Sequence, residues 1–243
     1  MNVVVPARAP AARPGRQLPA WVSVLAVVAH PDDESFGLGA VIDALAAGGA
    51  AVHILCYTHG EASTLNETRA DLRRAREQEL TEAGAELGAA SVTLLDYPDG
   101  RLSLAPPAEL AAHAAAAAAR GKAGGLLVFD DTGITGHPDH RAATAAAVLA
   151  VLAGRQAGLP VLAWALPQAV AGQLKAETGH DFAGQPPCQL DLCVRVSRSR
   201  QRRAALMHAS QVSPGAVLWR RLQLQGECEH LRWLVPPVAV PPG

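Results

Sequence analysis

Residues 21–34 read WVSVLAVVAHPDDE, a Val-rich apolar run that stops at a histidine, a proline and three acids. The apolar part, residues 21–29, is too short to cross a bilayer as a helix. It matches a strand buried on both faces. Similar runs recur along the chain at residues 51–57 (AVHILCY), 91–95 (SVTLL), 125–130 (GLLVFD), 159–165 (LPVLAWA) and 189–196 (QLDLCVRV). Between them lie helical patterns over residues 35–48, 66–87, 109–120, 140–152 and 198–210, with Gly at 48, 49 and 88 as plausible helix ends. Strand and helix therefore alternate with short connections. That order predicts an α/β fold with a Rossmann-like, mostly parallel sheet and helices on both faces.

In such sheets ligands sit beyond the carboxyl ends of the strands, and here the polar chemistry gathers there. The first strand is followed by His30, Pro31, Asp32, Asp33 and Glu34, and the second by Thr58, His59, Gly60 and Glu61. Residues 96–99 follow the third strand. The fourth is followed by Asp130 and Asp131, then by Gly136, His137, Pro138, Asp139 and His140. Asp32 or Asp33 alone would read as a helix cap. Two such clusters at strand ends read as a site.

His30, Asp33 and His140 make a two-imidazole, one-carboxylate set for a divalent metal, with open positions for water and substrate. Zn²⁺ is the default ion and Fe²⁺ its rival. Adjacent side chains diverge, so Asp32 can face the attacking water while Asp33 holds metal, and act as general base. His137, one turn before His140, is placed to donate to a developing oxyanion when protonated, with Asp139 fixing its tautomer and keeping it charged. This is the layout of metal-assisted amide or ester hydrolysis. A phosphohydrolase would prefer Mg²⁺ or paired metals among several carboxylates, and a non-catalytic binding relative would not need Asp32 and His137.

The 243 residues are 49% hydrophobic and 18% charged, enough for a large core and unlike a disordered chain. A net charge of −1 disfavours a nucleic-acid partner. Cys56, Cys188, Cys193 and Cys228 form no C-x-x-C pair, which suggests a reducing cytoplasm. No apolar run reaches membrane-spanning length. Residues 1–20, with four Pro and three Arg, read as a flexible leader. Residues 21–235 read as one domain and 236–243 as a Pro-rich tail.

The stretch Ala29-His30-Pro31-Asp32-Asp33-Glu34, together with Gly136-His137-Pro138-Asp139-His140, resembles the PIG-L/LmbE-like N-deacetylases. Thr58-x-Gly60-Glu61, Arg76-x-x-Glu79 before Leu87-Gly88, and His208, Ser210 and Gln211 extend the likeness to residues 22–211. The resemblance implies a zinc-dependent hydrolase that removes an acyl group, usually acetyl, from the nitrogen of an amino sugar such as an N-acetylglucosaminyl compound. It implies zinc on His30, Asp33 and His140, with Asp32 as base. His137 would stabilise the tetrahedral intermediate. Glu61, Arg69 and Asp99 lie where relatives contact substrate hydroxyls or phosphate. Thr135 departs from the Tyr found two residues before the catalytic His in mycothiol-pathway members.

Overall fold

A computed structural model describes residues 14–65, 71–153 and 158–238. Its strands are β1 (Ser23–Val28), β2 (Ala51–Thr58), β3 (Ser91–Tyr97), β4 (Leu126–Phe129), β5 (Val161–Pro167), β6 (Gly184–Gln185), β7 (Leu192–Arg195) and β8 (Cys228–Val235). The helices are α1 (Asp33–Phe36), α2 (Gly39–Ala47), α3 (Leu72–Glu86), α4 (Pro107–Gly121), α5 (Gly133–Gly136), α6 (Pro138–Leu152), α7 (Gln168–Thr178), α8 (Ser199–Met207) and α9 (Val217–Gln225). The sheet order is β3-β2-β1-β4-β5-β8-β7, with β6 beside β5. All pairings are parallel except those of β8 with β5 and β7. The expected mostly parallel α/β sheet is therefore present.

β1 sits at the switch point, where the order runs one way to β2 and the other to β4. Its side chains alternate between two cores. Val24, Ala26 and Val28 join the apolar layer that includes α2, α3 and α7. Leu25, Val27 and Ala29 join the layer covered by α4 and α6. That alternation follows from the two-residue period of a strand. The α4–α6 layer is built largely of alanine, including the fully buried Ala114 and Ala147. Small side chains there let both helices lie close to the sheet.

Several expected elements differ. The helix expected over residues 35–48 is two helices, α1 and α2, separated by Gly37 and Leu38. A Cβ on Gly37 would come 2.3 Å from the Phe129 ring, so only glycine fits this break. The helix expected from residue 140 begins at Pro138, with His137 as its N-cap. The segment 131–139, read as a loop, contains the short α5. β8, α7 and α9 were not anticipated. In the expected leader, Gly15 instead pairs with the β7 edge, donating to Asp191 O at 2.7 Å and accepting from Cys193 N at 2.9 Å. Residues 1–13 of that leader and 239–243 of the expected tail lie outside the described residues, as does Arg69. No helix among the described residues is long and apolar enough to cross a membrane.

The alanine layer makes a direct prediction. Ala147→Leu should overpack the α6–sheet contact and cost about 1–3 kcal/mol in urea unfolding. Ala145→Leu, on the exposed side of the same helix, should change stability by no more than about 0.5 kcal/mol. Equal effects at the two positions would contradict the packing.

Candidate active site

β1 ends two residues before His30, and α1 opens with Asp33. Asp33 Oδ2 accepts the backbone N–H of Ala29 at 3.2 Å and of His30 at 2.9 Å. Its other oxygen, Oδ1, lies 3.1 Å from His140 Nε2. His140 is carried on α6, which follows β4 across the switch point. His140 Nδ1 is 3.2 Å from Gly133 O, so it donates there and leaves Nε2 bare toward the site. His30 Nδ1 is 3.3 Å from His140 Nε2 and 3.6 Å from Asp33 Oδ2.

These spacings fit a metal. Two donors on a tetrahedral zinc, with bonds of about 2.0–2.1 Å, stand about 3.3 Å apart. His30 Nδ1 and Asp33 Oδ1 both approach His140 Nε2, at 3.3 and 3.1 Å. The back of His30 is braced by acids: Nε2 lies 3.1 Å from Asp99 Oδ1 and 3.4 Å from Asp139 Oδ2. Burial opposes charge on His30, but the carboxylates of Asp139, Asp33 and Asp99 outweigh it and push its pKa up to about 12. His140 is also raised; burial opposes the charge, and the Asp33 carboxylate prevails. A pocket that draws protons onto both imidazoles is electrostatically a cation site. One ring nitrogen each of His30, His137 and His140 also lie within 4.8 Å of one another. Asp33 is the better third ligand, because His137 Nδ1 is already taken as acceptor of the Asp139 N–H at 3.2 Å.

Asp32 lies beside this set in a strained left-handed conformation, φ 105°. Its backbone N–H donates to Glu34 Oε2 at 3.0 Å. Its carboxylate accepts from Arg76 Nη2 at 2.9 Å, and the same guanidinium donates to Pro31 O and, at 2.7 Å, to Gly60 O. Gly60 is pressed against it; a Cβ there would be 2.3 Å from Arg76 Cζ. Burial, together with the Asp33 charge, pushes the Asp32 pKa up to about 6 against the pull of Arg76. Glu34 is itself fully buried and accepts from His208 Nε2 at 2.6 Å and Ser35 Oγ at 2.5 Å.

His137 stands on the other side, its ring 4.9 Å from that of His30 and 4.7 Å from that of His140. With Nδ1 accepting, its proton sits on Nε2. Burial and the two neighbouring imidazoles lower its pKa, which works against the imidazolium expected. Asp139 differs too. Its carboxylate accepts from Gly100 N at 2.8 Å and Leu102 N at 3.0 Å and backs His30. Only its backbone N–H meets the His137 ring.

The site opens into a cavity of about 460 Å³. Asp99 lines it, while its Oδ2 accepts from Ala62 N at 2.9 Å. Glu61 stands behind it, accepting the Asp99 N–H at 3.0 Å, and Ala62 and Ser63 form the wall. Arg76, Glu34 and His208 were noticed in the sequence without a role. The available signal was Arg76 with Glu79, charges at the buried positions of α3 beside Leu80 and Ala83. Trp164 and Arg221, which also line the cavity, carried none.

A family profile described as PIG-L, GlcNAc-PI de-N-acetylase, matches residues 25–151, just over half of the chain and both motifs. The probable N-acetylglucosaminyl-phosphatidylinositol de-N-acetylase of Schizosaccharomyces pombe is 34% identical over 154 residues, covering 61% of this chain and 59% of that protein. This chain thus spans about three fifths of that relative. The 1D-myo-inositol 2-acetamido-2-deoxy-alpha-D-glucopyranoside deacetylase of Nakamurella multipartita is 31% identical over 247 residues, covering 80% and 82%. Among solved structures, GalB of Pseudomonas putida KT2440, a 4-carboxy-2-hydroxymuconate hydratase, has a TM-score of 0.68 at 19% identity, covering 91% of this chain and 99% of that one. The N,N'-diacetylchitobiose deacetylase of Pyrococcus horikoshii has a TM-score of 0.67 at 19% identity, covering 88% and 84%. These two likenesses speak for the fold alone. The profile through both motifs, and 31% identity sustained over four fifths of each chain, establish that the protein belongs to the PIG-L, or GlcNAc-PI de-N-acetylase, family.

Proposed function

We propose that the protein is a zinc-dependent amidase that removes the acetyl group from an N-acetylated amino sugar or its conjugate. The observation that carries this reading is that His30, Asp32, Asp33, His137 and His140 all line one pocket. The names of the relatives, which are de-N-acetylases of glucosaminyl compounds, support the substrate class. Two imidazoles and a carboxylate suit zinc or Fe²⁺ alike, and zinc is the ion that the family resemblance implies. A divalent metal in this pocket would polarise the acyl carbonyl and acidify a water.

The residues divide the remaining work. Asp32 accepts the proton of the attacking water. Arg76 fixes the direction of that carboxylate, and Glu34 fixes the turn that presents it. His137 donates its Nε2–H toward the carbonyl oxygen as charge develops there, a preset dipole in a half-buried wall. Asp99 and Asp139 hold His30 in one orientation, so that Nδ1 and not Nε2 faces the pocket.

Asp32→Asn should keep stoichiometric metal, read by mass spectrometry of the native protein, while release of free amine from an N-acetylglucosaminyl compound falls about 10²–10⁴-fold. Unchanged turnover would remove Asp32 as base. His137→Ala should lower kcat about 10²–10³-fold with little change in KM. A loss confined to KM would make His137 a substrate anchor instead. Dialysis against a chelator should abolish amine release and zinc should restore it; activity that survives complete metal removal would sink the mechanism.

A further inference from the structure

The cavity is also lined by a buried cation that has no carboxylate partner of its own. Arg221, on α9, is 5% exposed and lines the cavity. Its guanidinium lies 4.8 Å above the Trp164 ring. Nη1 donates to Gln225 Oε1 at 2.5 Å and Nη2 donates to Phe36 O. Both acceptors are neutral. The acid closest in the network is Glu229, fully buried, and it is already engaged by the Arg198 guanidinium, by Trp164 Nε1 at 2.7 Å and by Gln225 Nε2 at 3.1 Å. Two buried guanidinia thus share one carboxylate. Among the described residues no carboxylate forms an ion pair with Arg221. Desolvation and the neighbouring Arg198 charge, against the pull of Glu229, push its pKa down to about 10.

The surroundings of this cation are apolar. Phe129 packs edge-on against His140 at 5.0 Å and against Trp164 at 5.3 Å. Ile134, Phe182 and Leu218 complete that wall. The same cavity is lined by the polar Asp32, Asp99, Ser63 and Gln211 and by the aromatic Phe129 and Trp164 together with Arg221. A guanidinium carries five N–H donors, and two are used here. No further acceptor of its N–H groups is seen among the described residues.

We propose that Arg221 anchors a monoanionic group of the substrate, a carboxylate or a phosphodiester, carried on an apolar portion that lies along Phe129 and Trp164. The shared chemistry is one negative charge on two oxygens, which suits a guanidinium fork. A phosphate dianion would bring a second charge into a wall that has one cation to meet it. The inference deepens the amidase reading by naming what the substrate carries away from its N-acyl group. It rests on that reading only in taking this cavity as the substrate's.

The test is binding to the purified, metal-loaded full chain by titration calorimetry. The probes are 4-phenylbutyrate, its neutral amide, and methyl phenethyl phosphate as the diester. The carboxylate or the diester should bind at least about tenfold tighter than the amide. The tighter of the two identifies the anion. Arg221→Gln should erase the preference and Arg221→Lys should keep part of it. Equal binding of anions and amide by the wild type would overturn the proposal. So would a preference that persists in Arg221→Gln, since the anion would then sit elsewhere, the metal included. Should Arg221→Gln fail to fold, the ¹⁵N side-chain resonance of Arg221 in the wild type decides: it should shift with the anions and stay still with the amide. None of these readings uses turnover, so a failed anion preference and a failed amidase assay are separate results.

Discussion

The carboxylate of Asp33 joins the two halves of the molecule. One oxygen closes the end of β1 by accepting two backbone N–H groups, and the other faces His140 across the switch point. A carboxylate so placed is held well below its usual range; burial works against the charge, and His140 and His30 overcome it. Replacing it would leave two backbone donors and two imidazoles without their acceptor. The parallel order β2-β1-β4 makes this contact possible, because it brings the ends of β1 and β4 side by side.

Around that link the polar groups form two supports. One holds the metal ligands: Gly133 O sets the tautomer of His140, while Asp99 and Asp139 set that of His30. The other holds the base: Arg76 from α3 and Glu34, itself tied to His208 beyond α8, fix both the carboxylate and the strained backbone of Asp32. Strain of this kind persists only where neighbours over-determine it. The precision of the site thus depends on side chains from both faces of the sheet, with Arg76 on the α3 side and Asp139 on the α6 side.

The sequence made the parallel half legible. Continuous apolar runs such as residues 21–29 and 125–130 have few other readings, and motif residues at their ends follow from the topology. At the antiparallel edge β7 falls within the strand expected over residues 189–196, but β8 is hidden because its burial is paired rather than apolar. β8 carries Glu229 and Arg232 among its apolar residues, which hides the strand pattern. In the fold Glu229 meets Arg198 and Trp164, and Arg232 meets Asp130 at 2.5 Å. α9 was hidden likewise by Arg221 and Gln225 on its buried side. Asp139 meets the His137 ring through its backbone N–H, as nearness in sequence suggests, while the start of α6 turns its carboxylate to His30. Glu61 braces Asp99 from behind the cavity wall, a placing set by side-chain direction, which the sequence does not show.

The central claim is that His30, Asp33 and His140 hold one metal ion. X-ray absorption at the zinc edge of the purified protein tests it most directly. The account predicts a shell of nitrogen and oxygen donors at about 2.0–2.1 Å with the multiple scattering of two imidazoles, reduced to one in His140→Ala. A sulfur shell near 2.3 Å, or an imidazole signal indifferent to the loss of His140, would contradict it.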